Sequence, residues 1–178
     1  MLPDDFVIAV NLSPRQLLDR AFHQKVIDIL HSEGLSPALL ELEITESTML
    51  LPDVHAIDNL KRLREAGVKV ALDDFGMGHT SLHYLRELPL DTVKIDRSLA
   101  DVSAGSVNEH IVRSIASLSR TLNLSTVVEG VETEQQLKRL SALGCDRFQG
   151  YFFSRPLAAN VCQQFVLDAG QRPLAYPL

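Results

Sequence analysis

Positive charge is in short supply in this chain. Seventeen Lys and Arg stand against 23 Asp and Glu, a formal net charge of -6 over 178 residues. General nucleic-acid binding, to DNA in particular, needs a basic face, and this balance argues against it. A phosphate ligand is still open to an acidic protein if metal ions supply the positive charge. Cysteine is scarcer still. Cys145 and Cys162 are the two present, with no metal-ligand spacing between them, and they read as free thiols in a reducing compartment. No apolar run approaches the ~20 residues of a membrane helix. The opening MLPDDF has no signal-peptide character, so the expected location is the cytoplasm. Long linkers, repeat arrays and low-complexity stretches are also missing.

What is present is an ordinary globular composition, 46% apolar and 22% charged, at a length that fits one domain. The punctuation is regular. Strand-like runs fall at FVIAVN (6–11), Leu39 to Thr45, VKVALD (68–73), DTVKID (91–96), STVVE (125–129) and, more briefly, RFQGY (147–151). Each is followed by a helix-like stretch. Ser13-Pro14-Arg15-Gln16, Ser106 with Glu109, and Thr133 with Gln136 have the form of capping boxes. Gly34, Gly67 and Gly144 stand where helices should stop. The first helix is expected to break near Ala21-Phe22; later helices carry Ile57, Leu60 and Leu63 on one face, then Ile111, Ile115, Leu118 and Leu122 at helical spacing, then Leu137 and Leu140 inward. A last helix starts at Asn160 and ends near Gly170, before an irregular tail at 171–178.

Six near-continuous apolar strands alternating with helices predict a parallel sheet. An open doubly wound sheet fits that alternation too, but its functional residues should cluster at one switch point. Here polar residues end nearly every strand: Asn11, Glu43, Asp73-Asp74, Lys94, Glu129 and Gln149. In a barrel that distribution marks the C-terminal rim, so the expected fold is a modified TIM-type (βα)8 barrel of which about six units are present. A complete barrel runs to ~250 residues, with a floor near ~200.

Carboxylates crowded at one rim repel one another unless a cation sits among them. Asn11, Glu43, Asp73 and Asp74 are hard oxygen donors suited to Mg²⁺ or Mn²⁺. Two such ions could activate a water and steady the leaving oxygen of a phosphodiester. Lys94 could orient that water or neutralise developing charge, and Glu129 could accept its proton. Each residue also has a structural alternative. Glu43 and Glu46 could cap the next helix, Asp74 could cap the loop, and Lys94 could be a buried partner of Asp96. The six histidines, mostly on helix-like stretches, read as surface or packing residues. Gly76-x-Gly78 is too short to cradle a phosphate and reads as a flexible loop.

VNLS (10–13), ELEITES (41–47), LDDFGMGHTSL (72–82), VKID (93–96), VVEGVET (127–133) and FQGYFFSRP (148–156) together resemble the EAL domain, the bacterial cyclic di-GMP phosphodiesterases. The resemblance runs from about Phe6 to Ala169. It implies Mg²⁺- or Mn²⁺-dependent opening of cyclic di-GMP to linear pGpG, with inhibition by Ca²⁺. It implies metal ligation by Asn11, Glu43, Asp73 and Asp74, with Asp73 bridging. Lys94 would touch the catalytic water and Glu129 would support or deprotonate it. Gln149 would lie beside the site and Pro156 near a guanine. Glu46 would brace the loop that links metal binding to a homodimer contact. Upstream GGDEF, PAS or receiver domains are common companions in that family. Met77, His79 and Val128 depart from the family's usual Thr, Tyr and Ala, and none of the three supplies a ligand in the motif.

The larger departure is at the front. The E-x-L-x-R segment, with a metal-binding Glu and a substrate-binding Arg, should precede Asn11 by several dozen residues, and ten residues stand there. Residues 1–170 are therefore expected to form a partial domain, and the lone chain to hydrolyse cyclic di-GMP poorly or not at all. The competing functions are a non-catalytic cyclic di-GMP-binding regulatory module and an enolase-type barrel with a lysine base. The complete set of rim residues favours the hydrolase over the first. The adjacent Asp-Asp and the EGVE and QGY segments fit the second poorly.

Overall fold

The computed structural model describes residues 6–45, 54–76 and 82–169. Its centre is one sheet of six strands: β1 (Ile8–Asn11), β2 (Leu40–Thr45), β3 (Lys69–Phe75), β4 (Thr92–Ile95), β5 (Ser125–Val128) and β6 (Arg147–Phe148). They lie in strict chain order, every neighbouring pair parallel. A doubly wound sheet reverses its order at the switch point, so this topology is that of a barrel wall wound in one direction. β1 and β6 form its two edges.

Seven helices accompany the strands among the described residues: α1 (Pro14–Leu17), α2 (Phe22–Ser32), α3 (Val54–Glu65), α4 (Leu82–Glu87), α5 (Val107–Thr121), α6 (Glu134–Ala142) and α7 (Ala159–Ala169). The break between α1 and α2 is pinned from outside. Asn59 of α3, 1% exposed, donates to the carbonyls of Leu17 and Asp19 at 2.9 Å each. The capping boxes at Ser13 and Thr133 form in full. At α5 only half forms: Ser106 accepts from the Glu109 amide, while the Glu109 carboxylate turns to the Gly105 amide at 2.6 Å. The expected glycine stops take positive φ, as at Gly34 (64°) and Gly67 (100°).

Alternation along the strands divides the side chains in two. Leu42, Ile44, Val70, Leu72, Val93, Ile95 and Val128 belong to the buried apolar core between sheet and helices. The residues between them line the other, inner face. On α5 the buried stripe is Val112, Ile115 and Ala116, while Ile111, at the same helical spacing as Ile115, is 37% exposed. The two candidate stripes are one residue apart, and periodicity alone does not choose between them. Both cysteines are free, as expected. Cys145 is buried, and burial with the nearby Asp146 charge pushes its thiol up to about 12. No helix among the described residues is long and apolar enough to cross a membrane.

The N-terminal ends of the strands are tied by aspartates. Asp91 accepts from the Val70 amide at 3.0 Å and from Arg64 Nε at 2.9 Å. Asp146 repeats the device on β5, accepting from the Thr126 amide and hydroxyl at 2.8 Å each.

Candidate functional site

At the opposite end of the sheet, Lys94 of β4 points into the inner face and is 5% exposed. Its ammonium lies 2.7 Å from Glu129 Oε1, 2.8 Å from Glu43 Oε1 and 3.0 Å from Asp73 Oδ1. These partners come from the ends of β5, β2 and β3. β2 is two strands away from β4, about 10 Å across a flat sheet. Convergence on one ammonium therefore reports a concave inner face. The alternative partner for Lys94, Asp96, is engaged elsewhere and accepts from the Ser98 amide at 2.9 Å.

Asp73 and Asp74 owe their positions to an irregularity in β3. The β3–β4 register runs Leu72↔Val93 and then Phe75↔Ile95, so three steps on β3 oppose two on β4. This is a one-residue bulge, a device that re-aims side chains beside active sites. Asp74 takes φ 58°, in the left-handed region that few non-glycine residues enter. Its side chain is exposed, whereas that of Asp73 is only 14% exposed. Asn11 ends β1 directly opposite Glu43 in the β1–β2 register and is exposed.

The electrostatics are unbalanced. Burial alone would push the Lys94 ammonium down, but its bonds to Glu129 and Glu43 and the nearness of Asp73 outweigh that and raise it above its ordinary 10.5. Glu43 moves the other way in stability. Burial raises its carboxyl above 4.5, Lys94 offsets part of this, and the charges of Asp73 and Glu129 add to the rise. Asp73 Oδ1 is close enough to Lys94 for an ion pair but not aligned for a hydrogen bond. It is the buried side-chain oxygen that lacks a hydrogen-bond partner among the described residues.

An open cavity of about 380 Å³ lies along the inner face, and Glu43, Lys94 and Gln149 are in its wall with Phe153 and Ser154. Pro156 is exposed and lies outside that wall. Glu46 and the loop from 77 to 81 lie outside the described residues. Among the described residues, no group of three His, Cys, Asp or Glu side chains is spaced to hold a metal ion, and the ammonium takes the centre of the carboxylates. The all-oxygen donor set, with an Asp73 Oδ1 that has an ion-pair partner but no hydrogen bond, is nevertheless what a hard divalent cation would use.

Sequence reasoning missed a second polar layer on the inner face. Thr92, two residues before Lys94, donates to Glu41 Oε2 at 2.8 Å and accepts from Arg147 at 2.9 Å. The alternation Glu41-x-Glu43, two carboxylates on one face of a strand, was the available signal.

A one-directional parallel βα wall whose C-terminal rim gathers carboxylates around one lysine has the architecture of a TIM-type barrel. Residues 2–156 match the EAL domain, and the chain belongs to that family. It is 42% identical over 159 residues to the cyclic di-GMP phosphodiesterase NbdA of Pseudomonas aeruginosa, covering 89% of this chain and 20% of NbdA. The solved PaMucR phosphodiesterase in complex with c-di-GMP superposes with a TM-score of 0.83 at 41% identity, covering 89% of this chain and 71% of that one. Klebsiella pneumoniae BlrP1, solved with manganese and the cyclic dinucleotide, gives 0.78 at 33% identity, covering 86% and 40%. The chain thus spans about a fifth of the length of the curated relative.

Proposed function

We propose that this chain carries the greater part of a metal-dependent phosphodiesterase site that opens cyclic di-GMP to linear pGpG. The observation that carries this reading is the gathering of Glu43, Asp73 and Glu129 around Lys94 at the rim, in a family whose relatives include named cyclic di-GMP phosphodiesterases. Asn11, Glu43, Asp73 and Asp74 would hold Mg²⁺ or Mn²⁺, which when bound neutralise phosphate charge and acidify a water. The structure's own contribution is placement and proton handling. Glu129 is the most open of the three carboxylates around Lys94, its side chain 22% exposed against 8% for Glu43 and 14% for Asp73. In this reading Glu129 takes the proton as water oxygen bonds to phosphorus and one ester P–O bond breaks, and the released ribose oxygen is protonated from solvent. Lys94 lies within ion-pair distance of all three and would hold Glu129 and Glu43 relative to each other. Gln149 lies in the same cavity wall and would hydrogen-bond the nucleotide. Pro156 would pack near a guanine, Glu46 would brace the loop after β3, and the assembled form would be a homodimer in a signalling protein with further domains.

Residues 1–170 are read as a partial domain, because the solved PaMucR chain is longer than the region matched here. Isolated, the chain should turn over slowly. The test is chromatographic detection of pGpG with Mg²⁺ or Mn²⁺, from this chain and from a fusion carrying the preceding barrel segment of PaMucR. The fusion should hydrolyse cyclic di-GMP much faster than the chain alone, and Glu129→Gln should abolish it. The ammonium at the centre of the carboxylates favours one second reading, a binding module without turnover. Tight binding of cyclic di-GMP by the fusion with no pGpG formed would establish that reading in place of the first.

A further inference from the structure

Beneath the rim, Arg147 Nη2 donates to Thr92 Oγ1 at 2.9 Å, and Thr92 Oγ1 donates to Glu41 Oε2 at 2.8 Å. The chain of contacts steps across β6, β4 and β2, the alternate strands that supply one layer of side chains inside a barrel. Each member sits two residues before a rim residue on its own strand: Glu41 before Glu43, Thr92 before Lys94, Arg147 before Gln149. Side chains two apart on a strand share a face, so the lower layer is the footing of the upper one.

Glu41 is 5% exposed and Thr92 1% exposed. Among the described residues Glu41 has no cation within ion-pair distance, and a buried carboxylate without donors is costly. Thr92 has one hydroxyl proton and gives it to Glu41. It can do so with fixed direction because its lone pair is taken by the Arg147 guanidinium. Arg147 thereby fixes the hydroxyl rotor and brings positive charge toward Glu41.

We propose that Arg147 is a positioning residue. Acting through Thr92 and Glu41, it sets the spacing of β2 and β4, on which the Glu43–Lys94 contact at the rim depends. The proposal deepens the phosphodiesterase reading and rests on it.

Two readouts separate the two ideas. In the active fusion, Arg147→Met should lower kcat about 10-fold and leave KM within about 2-fold, with Arg147→Lys recovering most of the loss. Thr92→Val should reproduce the defect, and the double variant should be no worse than either single one, because both break the same chain of contacts. A raised KM with unchanged kcat would overturn the proposal, since Arg147 would then touch substrate. The second readout needs no turnover: the Lys94 ammonium resonance by ¹⁵N NMR in this chain, without nucleotide. Arg147→Met should shift or broaden that signal while the melting temperature stays near that of wild type, and Arg147→Lys should restore it. An unchanged Lys94 signal would overturn the proposal. A wild-type fusion that never hydrolyses the nucleotide would sink the functional reading alone.

Discussion

The two ends of the sheet treat their carboxylates in opposite ways. At the N-terminal end two aspartates are each met by two donors: Asp91 serves the Val70 amide and Arg64, and Asp146 serves the amide and hydroxyl of Thr126. At the C-terminal end three carboxylates share one ammonium, and among the described residues a buried oxygen of Asp73 has no hydrogen-bond donor. The first arrangement is what stability alone selects. The second stores electrostatic strain in the region where barrels keep their chemistry. Unsatisfied groups in a native fold call for an explanation, and a cation that completes the rim supplies one.

The largest effect should come from removing the one charge that holds the rim together. Lys94→Met leaves Glu43, Asp73 and Glu129 facing one another without compensation, and breaking such a buried pair costs about 3–5 kcal/mol. Chemical denaturation at neutral pH would measure it. The Lys94 contribution is complete below pH 10.5 and fades only as pH rises through the higher value it has in the fold. The Lys94→Met deficit should therefore be constant from pH 7 to 9. A variant as stable as wild type would erase the contrast between the two ends.

At the satisfied end the expectation is smaller and purely structural. Asp146→Ala orphans the Thr126 amide and should cost about 1–3 kcal/mol. Hydrolysis per folded molecule should stay at the wild-type level, because Asp146 lies at the end remote from the rim. Loss of turnover without loss of stability would contradict this assignment.

The smallest effect has the opposite sign. Glu43 has its carboxyl raised by burial, so its charged form works against folding at neutral pH. A group raised in the fold contributes stability below its unfolded value, and that contribution disappears as pH climbs through the folded one. Glu43→Gln should therefore be more stable than wild type at pH 7, by on the order of 1 kcal/mol or about 2–4 °C in melting temperature. The gain should shrink as pH falls through the raised folded value toward 4.5, because wild-type Glu43 takes up its own proton above 4.5 in the fold. Hydrolysis should be lost at every pH. A Glu43→Gln variant that melts lower than wild type at pH 7 would show that the rim is not under strain.

Much of this was legible in the residues. Helix stops at Gly34 and Gly67 and the full capping boxes at Ser13 and Thr133 announce themselves locally, because positive φ and orphaned amides are satisfied within a few residues. The rim residues were legible because strand ends repeat six times along the chain. What escaped is what curvature creates. The Glu41–Thr92–Arg147 layer joins alternate strands 51 and 55 residues apart, and no local pattern encodes that pairing. The β3 bulge was hidden for the same reason: an adjacent Asp pair says nothing about register against β4 until the strands are aligned. Lys94 was visible as a rim residue, but its role as the shared partner of three carboxylates needed the concave face.

The central proposal is that the rim carboxylates bind a divalent cation, and the most direct measurement is the melting temperature of this chain titrated with Mn²⁺. A ligand at 100 times its Kd stabilises the folded state by about 2.7 kcal/mol. Wild type should therefore melt several degrees higher at saturating Mn²⁺, and Asp73→Asn should lose that response. No shift in wild type, or an equal shift in Asp73→Asn, would contradict the account.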